Sequence, residues 1–109
     1  MVKFDTYRNL YAEARQYEDI DRYIMERGWQ SWMDGIGDAD QIADLLRAVY
    51  AISRGGIDGI LSVEGGKLTE FCQRYCLPYS TAQKWKLKGT APAEHTLLLL
   101  GYAVICNKI

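Results

Sequence analysis

The stretch KLTEFCQRYCLPYSTAQKWKL, residues 67–87, decides the fold of the C-terminal part of this chain. Its apolar residues recur at the spacing of two short helices joined by a tight turn. Six apolar or small side chains occupy the positions where the two helices must touch: Phe71, Cys72, Tyr75, Leu77, Ala82 and Trp85. The stretch therefore predicts a helix pair with a shared apolar inner face.

The turn between the two helices matches a helix-turn-helix at Pro78 and departs from the usual pattern at Cys76. Pro78 suits the start of the second helix, because its missing N–H is harmless there and its fixed φ matches a helical turn. Such turns usually begin with Gly at a position that needs φ above zero, and here that residue is Cys76. Strain of about 1 kcal/mol is tolerable in a packed site. A helix-turn-helix holds its second helix at a steep angle, ready to enter a DNA groove.

The length of 109 residues fits one domain. Charged residues are distributed unequally along it. The chain has a net charge of -1, but residues 1–66 contain 7 Lys and Arg against 12 Asp and Glu, whereas residues 67–109 contain 6 against 2. We predict a single domain, 1–109, with an acidic helical part, 1–66, and a part, 67–109, that holds the helix-turn-helix and a last helix. A basic block at such a motif is what phosphate contacts require. The acidic part has the simpler interpretation of a solvated surface.

Apolar residues recur at helical spacing along the rest of the chain, and no segment alternates with the two-residue period of a strand. Asp38 is a good N-cap for a helix that ends at Gly55 and Gly56. Glu18 and Asp19 mark either a break in an N-terminal helix or its solvent face. The predicted helices span residues 7–17, 20–27, 38–54, the pair within 67–87, and 93–106, with one helical turn at 57–61. The predicted fold class is all-α, a small helical bundle of five to six helices with a C-terminal helix-turn-helix.

About forty C-terminal residues resemble the small helix-turn-helix DNA-binding proteins of bacterial mobile elements and phages. The residues that carry the resemblance are Phe71, Tyr75, Leu77, Pro78, Thr81, Gln83, Trp85, Gly89, Pro92 and the leucines 97–100. The resemblance implies a transcriptional regulator that binds double-stranded DNA. The chain departs from the pattern at Thr90 and Ala91, where Arg or Lys often follows the Gly, and at His95, where the last helix often begins with an aromatic residue.

Eight residues of the second helix and its flanks are the predicted DNA contacts: Lys67, Tyr79, Ser80, Thr81, Gln83, Lys84, Lys86 and Lys88. The amide of Gln83 can make two hydrogen bonds to adenine in the major groove, and the hydroxyls at 80 and 81 can reach bases or phosphates. The lysines at 84, 86 and 88 are interpreted as a basic stripe that binds phosphates without reading sequence. The alternative is a helix pair that only packs, with a lysine-rich solvated edge.

The sequence shows no pattern of catalytic residues, so we expect no enzyme, no cofactor and no metal. The single histidine, His95, has no nucleophile beside it. Cys72 and Cys76 do not match the spacing of a zinc site, and packing is the preferred interpretation. The apolar run 97–106 is too short to cross a bilayer. No secretory signal is recognisable at residue 1, and a cytoplasmic location is the expectation.

The acidic part supports a second hypothesis, a phage-encoded anti-CRISPR inhibitor that binds a protein effector such as a Cas nuclease. Its interaction face would consist of aspartates that mimic nucleic-acid phosphates: Asp19, Asp21, Asp38, Asp40 and Asp44. The tyrosines and tryptophans, expected to be exposed, would be the interface anchors.

The regulator hypothesis also implies a homodimer, because paired half-sites raise specificity. Two surfaces are candidates for the interface: the helix 97–105 and the aromatic stripe of the N-terminal helix.

Overall fold

Six α-helices and no strand form the chain, and the computed structural model describes all of it, residues 1–109. The helices are α1 (Phe4–Ala14), α2 (Ile20–Met25), α3 (Ala39–Glu64), α4 (Leu68–Arg74), α5 (Tyr79–Lys86) and α6 (Glu94–Lys108). A short 3₁₀ turn, Ser31–Met33, lies between α2 and α3. The prediction of an all-α bundle of five to six helices is confirmed. None of the helices combines the length and apolar content needed to span a membrane.

The long helix α3 lies at the centre and packs against α6, α1 and α2. Its apolar stripe supplies much of one continuous core, and the fully buried members of that core come from five helices and the 3₁₀ turn: Tyr7, Tyr23, Met33, Leu46, Val49, Ile52, Ile60, Phe71, Val104 and Ile105. Contact between α6 and the centre is very close, because a side chain at Gly101 would approach Ile52 Cγ2 to 2.6 Å and the hydroxyl of Tyr7 to 2.7 Å. The α4–α5 pair contacts the second half of α3.

The helical backbone is interrupted at Gly56, where the sequence predicts the central helix to end, but a helix resumes directly after it. The helix bends at Gly56, which has φ 57° and ψ −133°, a conformation that only glycine adopts readily. A side chain at Gly59 would collide with the carbonyl oxygen of Ala51, so the bend also needs a glycine there. The helix then continues to Glu64 because Ile57 and Ile60 bury the same apolar stripe. The predicted helical turn at 57–61 is present, but it extends further than predicted, to Glu64.

Local caps set the starts and ends of several helices. Asp38 and Gln41 form a reciprocal capping box at the start of α3, with both N–H to side-chain oxygen distances at 2.9 Å. The side chain of Asp19 accepts from the N–H of Asp21 at 3.1 Å, so the ambiguous segment at 18–19 is a break between two helices. Arg54 donates to carbonyl oxygens just after α1, the nearest being that of Tyr17 at 2.8 Å. A guanidinium there satisfies carbonyls that the helix end leaves free.

Most tyrosines are structural, contrary to the expectation of exposed aromatic anchors. Hydroxyls of Tyr7, Tyr23, Tyr50 and Tyr102 donate to backbone carbonyls of distant segments at 2.8–2.9 Å. Burial raises the pKa of the Tyr7 and Tyr23 phenols well above the ordinary value. Among all tyrosines and tryptophans only Trp29 and Tyr79 are exposed. A buried aromatic ring stabilises the core and its hydroxyl satisfies a carbonyl, so these residues are not available to a partner.

Candidate nucleic-acid interface

The pair α4–α5 has the inner face that the sequence predicts. Phe71, Cys72 and Ala82 are buried, while Tyr75, Leu77 and Trp85 are half-buried between the two helices and the body. The rings of residues 71 and 75 lie 5.2 Å apart between centroids. Four residues, 75–78, separate the helices. The assignment of this pair to the DNA-binding helix-turn-helix motif stays a prediction.

The turn residue Cys76 lies in the left-handed region at φ 56°, as the glycine-like position required. The N–H of Leu77 donates to the carbonyl of Cys72 at 2.9 Å, which closes the end of α4. Pro78 then immediately precedes α5 at φ −61°. A non-glycine residue in this conformation costs about 1–2 kcal/mol, so the turn geometry is imposed by its surroundings.

Helix α5 ends in the same way, at a second non-glycine residue in the left-handed region. Lys88 has φ 64°, and the N–H of Gly89 donates to the carbonyl of Lys84 at 2.9 Å. The ammonium of Lys88 lies 2.6 Å from Oδ2 of Asp58 on the second half of α3. Lys88 therefore lies beyond the helix and is already paired.

The basic stripe at 84, 86 and 88 was a wrong interpretation. Successive residues turn by about 100° around a helix axis, so residues two apart point in nearly opposite directions. Lys84 and Lys86 consequently lie on the two flanks of the exposed face of α5, both exposed to solvent. Between them lie Tyr79, which is 47% exposed, and Gln83. The geometry is a central amide with an ammonium on each side.

Thr81 differs from the sequence-based expectation, and Leu87, the residue directly after α5, adds an apolar side chain to the outer face. Thr81 is half-buried next to Ala82 and Trp85, since it begins the inner face rather than the outer one. Leu87 is 72% exposed and continues the stripe of Tyr79 and Gln83 at four-residue spacing. Ser80 is exposed as predicted. The four-residue spacing was the sequence signal that could have placed Leu87 on the outer face.

A buried carboxylate that the sequence analysis missed attaches α4 to the body. Glu64, the last residue of α3, is only 4% exposed and forms an ion pair with Arg74. The hydroxyl of Tyr75 donates to Glu64 Oε2 at 3.2 Å, and the ammonium of Lys108 lies 3.9 Å from Oε1. The amide of Asn107 donates to the oxygen of Tyr75 at 3.2 Å. A glutamate four residues after Ile60, on the apolar stripe of α3, was the available signal.

The lysines of the pair differ in whether they have partners. Lys67, Lys84 and Lys86 are exposed and form no ion pair, whereas Lys88 pairs with Asp58. Lys67 is the N-cap of α4, where a positive charge opposes the helix dipole. Helix stability therefore gives no reason for a lysine at that position.

The aspartates of the predicted interaction face lie at or near the N-terminal ends of α2 and α3. Asp19 and Asp38 are occupied as N-caps of α2 and α3, and Asp44 pairs with Arg47 at 3.2 Å. Asp21 and Asp40 are exposed and form no ion pair. Most of this acidic surface therefore has a local structural role.

The cysteines have different surroundings from one another. Cys72 is buried in the helix pair as expected, and burial raises the pKa of its thiol. Cys76 is exposed in the turn, so it does not pack as the sequence analysis expected. No three His, Cys, Asp or Glu side chains lie close enough together to hold a metal ion.

No protein-family model, no curated protein and no solved structure matches this chain.

Proposed function

We propose that this protein binds double-stranded DNA by inserting the outer face of α5 into the major groove. In that role it acts as a transcriptional regulator of a phage or mobile element. The observation that carries the proposal is the arrangement of Gln83 between two unpaired lysines, Lys84 and Lys86, on one exposed helix. A major groove is bordered by phosphates on both sides, and its floor presents base edges. An amide flanked by two ammonium groups matches that pattern.

Each part of this face has a distinct task. The amide nitrogen of Gln83 donates to N7 of adenine, and its amide oxygen accepts from the N6 amino group. This pair of hydrogen bonds selects an A·T base pair. Lys84 and Lys86 bind phosphates on opposite sides of the groove, and Lys67 adds a contact from the start of α4. The exposed side chains of Tyr79 and Leu87 offer apolar contact to a thymine methyl group. The expected preference is for a site that contains A·T pairs.

The experiment begins with selection of bound duplexes from a random-sequence pool by the full chain. Gln83→Ala should weaken binding to the selected duplex about 5- to 100-fold, as for a lost bidentate base contact, while leaving binding to unrelated duplex nearly unchanged. Lys84→Ala should weaken both equally. Lys3→Ala, which removes an exposed lysine before α1, is the matched control and should change neither. Sequence-specific binding that survives the double change Gln83→Ala, Lys84→Ala would refute the assignment of α5.

The second proposal is inhibition of a protein effector such as a Cas nuclease through the acidic part. It is supported by Asp21 and Asp40, which are exposed and unpaired. The test adds purified protein to a nuclease cleavage reaction. Inhibition should be lost with Asp21→Asn plus Asp40→Asn and retained with Gln83→Ala. If the double aspartate variant inhibits as well as the parent, this proposal fails.

A further inference from the structure

Lys88 follows the C-terminal end of α5, and main-chain hydrogen bonds fix its position there. Its own N–H donates to the carbonyl of Trp85 at 3.2 Å, and the N–H of Gly89 donates to the carbonyl of Lys84 at 2.9 Å. Its φ of 64° is a conformation that glycine adopts more readily, although a glycine is the next residue along the chain. The turn itself therefore gives no reason for a lysine at this position.

Asp58 lies opposite Lys88, on the second half of α3. It is the only charged residue between the bend at Gly56 and Glu64, and both residues beside it are buried, as is Ile60. Oδ2 of Asp58 lies 2.6 Å from Nζ of Lys88, although both side chains are more than half exposed. The packing of α5 against α3 holds the two backbones close together. The two charges therefore stay near one another whichever rotamers the side chains adopt.

Lys88 continues the flank of α5 that carries Lys84. The two lysines are four residues apart, a spacing that places residues on the same side of a helix. A DNA strand whose phosphates contact Lys84 therefore passes Lys88 as well. By position Lys88 is a fourth phosphate-binding lysine, but the carboxylate of Asp58 neutralises it. No acid pairs with Lys84 or Lys86 in the same way.

We infer that Asp58 restrains the DNA affinity of this protein by competing with phosphate for Lys88. A phosphate that approaches Lys88 also approaches the carboxylate, and the ion pair has no net charge. Release of counterions from DNA depends on the positive charge that meets the phosphates, so the pair adds little to it. A neutral side chain at position 58 leaves the whole charge of Lys88 available to a phosphate. This role of Asp58 rests on the proposed function, because it concerns the same DNA-binding face.

The test compares the salt dependence of DNA binding by the wild-type chain and by Asp58→Asn, measured by fluorescence anisotropy. Asparagine has nearly the shape of aspartate without its charge. The slope of the logarithm of the binding constant against the logarithm of salt should steepen by about 0.9, which makes binding about eightfold tighter at about 0.1 M NaCl. The gain should be equal for a selected and an unrelated duplex, because phosphate contacts do not read sequence.

Two further variants distinguish the pairing of Asp58 with Lys88 from a general effect of charge. Asp5→Asn is the matched control, because it also frees a base from an exposed ion pair, that of Asp5 with Arg8 at 3.6 Å. Asp5 lies on α1, which packs against α3 and α6, so its substitution should leave the slope unchanged. The double variant Asp58→Asn, Lys88→Gln should return the slope to the wild-type value, because the two positions are then neutral together again.

The outcomes separate this inference from the proposed function. An unchanged or shallower slope in Asp58→Asn overturns the inference, as does an equal steepening in Asp5→Asn. A steeper slope that persists in the double variant also overturns it, since Lys88 is then not the base that Asp58 restrains. In these cases DNA binding that depends on Lys84 still stands. A wild-type chain that binds no duplex refutes the proposed function and the role of Asp58 with it.

Discussion

The body of the protein and the α4–α5 pair differ in how much of their positive charge is paired within the chain. In the body every arginine is engaged within the chain: Arg8, Arg15, Arg22, Arg27 and Arg47 pair with acids, and Arg54 binds carbonyls. The body has one base without a partner, Lys3. In the pair, Lys67, Lys84 and Lys86 have none, although Arg74 and Lys88 are paired. A guanidinium suits fixed, multidentate contacts, whereas an ammonium on a flexible stem suits a mobile anion such as a phosphate. Positive charge that has no ion-pair partner within the chain is therefore concentrated on the α4–α5 pair, where the chain is proposed to meet DNA.

Arg27 should have the largest effect on stability among the body's arginines. Its side chain is 7% exposed, pairs with Glu13, donates to the carbonyl of Tyr23 at 3.0 Å and lies 4.4 Å over the ring of Tyr23. Burial lowers the pKa of this guanidinium, which nevertheless stays charged. Arg27→Ala should lower the free energy of unfolding by about 3 kcal/mol, because packing, ion pair and hydrogen bond are all lost.

Urea denaturation followed by circular dichroism measures this effect. Arg8→Ala is the control, since Arg8 makes only an exposed ion pair with Asp5 at 3.6 Å, and it should leave the midpoint nearly unchanged. Equal effects of the two substitutions would contradict a structural role for the body's arginines.

Glu64 tests how the two regions are joined. Glu64→Ala should cost about 2 kcal/mol, because Arg74 and the hydroxyl of Tyr75 lose their buried partner. Hydrogen exchange should show the loss mainly in amides of α4 and α5, with α1 protected as in the wild type. Uniform loss of protection over α1 and α4 would mean that the pair is not a separately attached unit.

The turn of the pair should gain stability from glycine. Cys76→Gly should raise the free energy of unfolding by up to about 1 kcal/mol, because glycine removes the strain at φ 56°. Gly65→Ala is the mirror experiment at the end of α3, where φ is 75°, and should lower stability by a similar amount. A loss of stability in Cys76→Gly, measured by the same urea titration, would show that the thiol makes contacts worth more than the strain.

Local features were predictable from the sequence because their causes are local. The inner face of α4–α5, the capping role of Asp38 and the left-handed position of Cys76 all follow from spacing and residue type within a few positions. The continuation of a helix beyond Gly56 was not predictable, because a pair of glycines is compatible with a helix end and with a kink. The packing of the residues that follow determines which of the two forms.

Long-range partners could not be read from the sequence for a different reason. Glu64 with Arg74, and Lys88 with Asp58, pair only after the helices have packed, and spacing gives no sign of which acid meets which base. The same limit affected the candidate site. Three of its lysines are free, but the fourth is occupied, and the difference depends on the position of Asp58 on the bent half of α3.

The salt dependence of DNA binding tests the central claim, that the unpaired lysines of the pair exist to bind phosphates. The affinity for a selected duplex is measured by fluorescence anisotropy over a series of NaCl concentrations. With three free lysines, the logarithm of the binding constant should fall against the logarithm of salt with a slope of about −3, and Lys84→Ala should reduce that slope by about 0.9 while Lys3→Ala leaves it unchanged. A slope that is the same in wild type and in the double variant Lys84→Ala, Lys86→Ala would contradict the account.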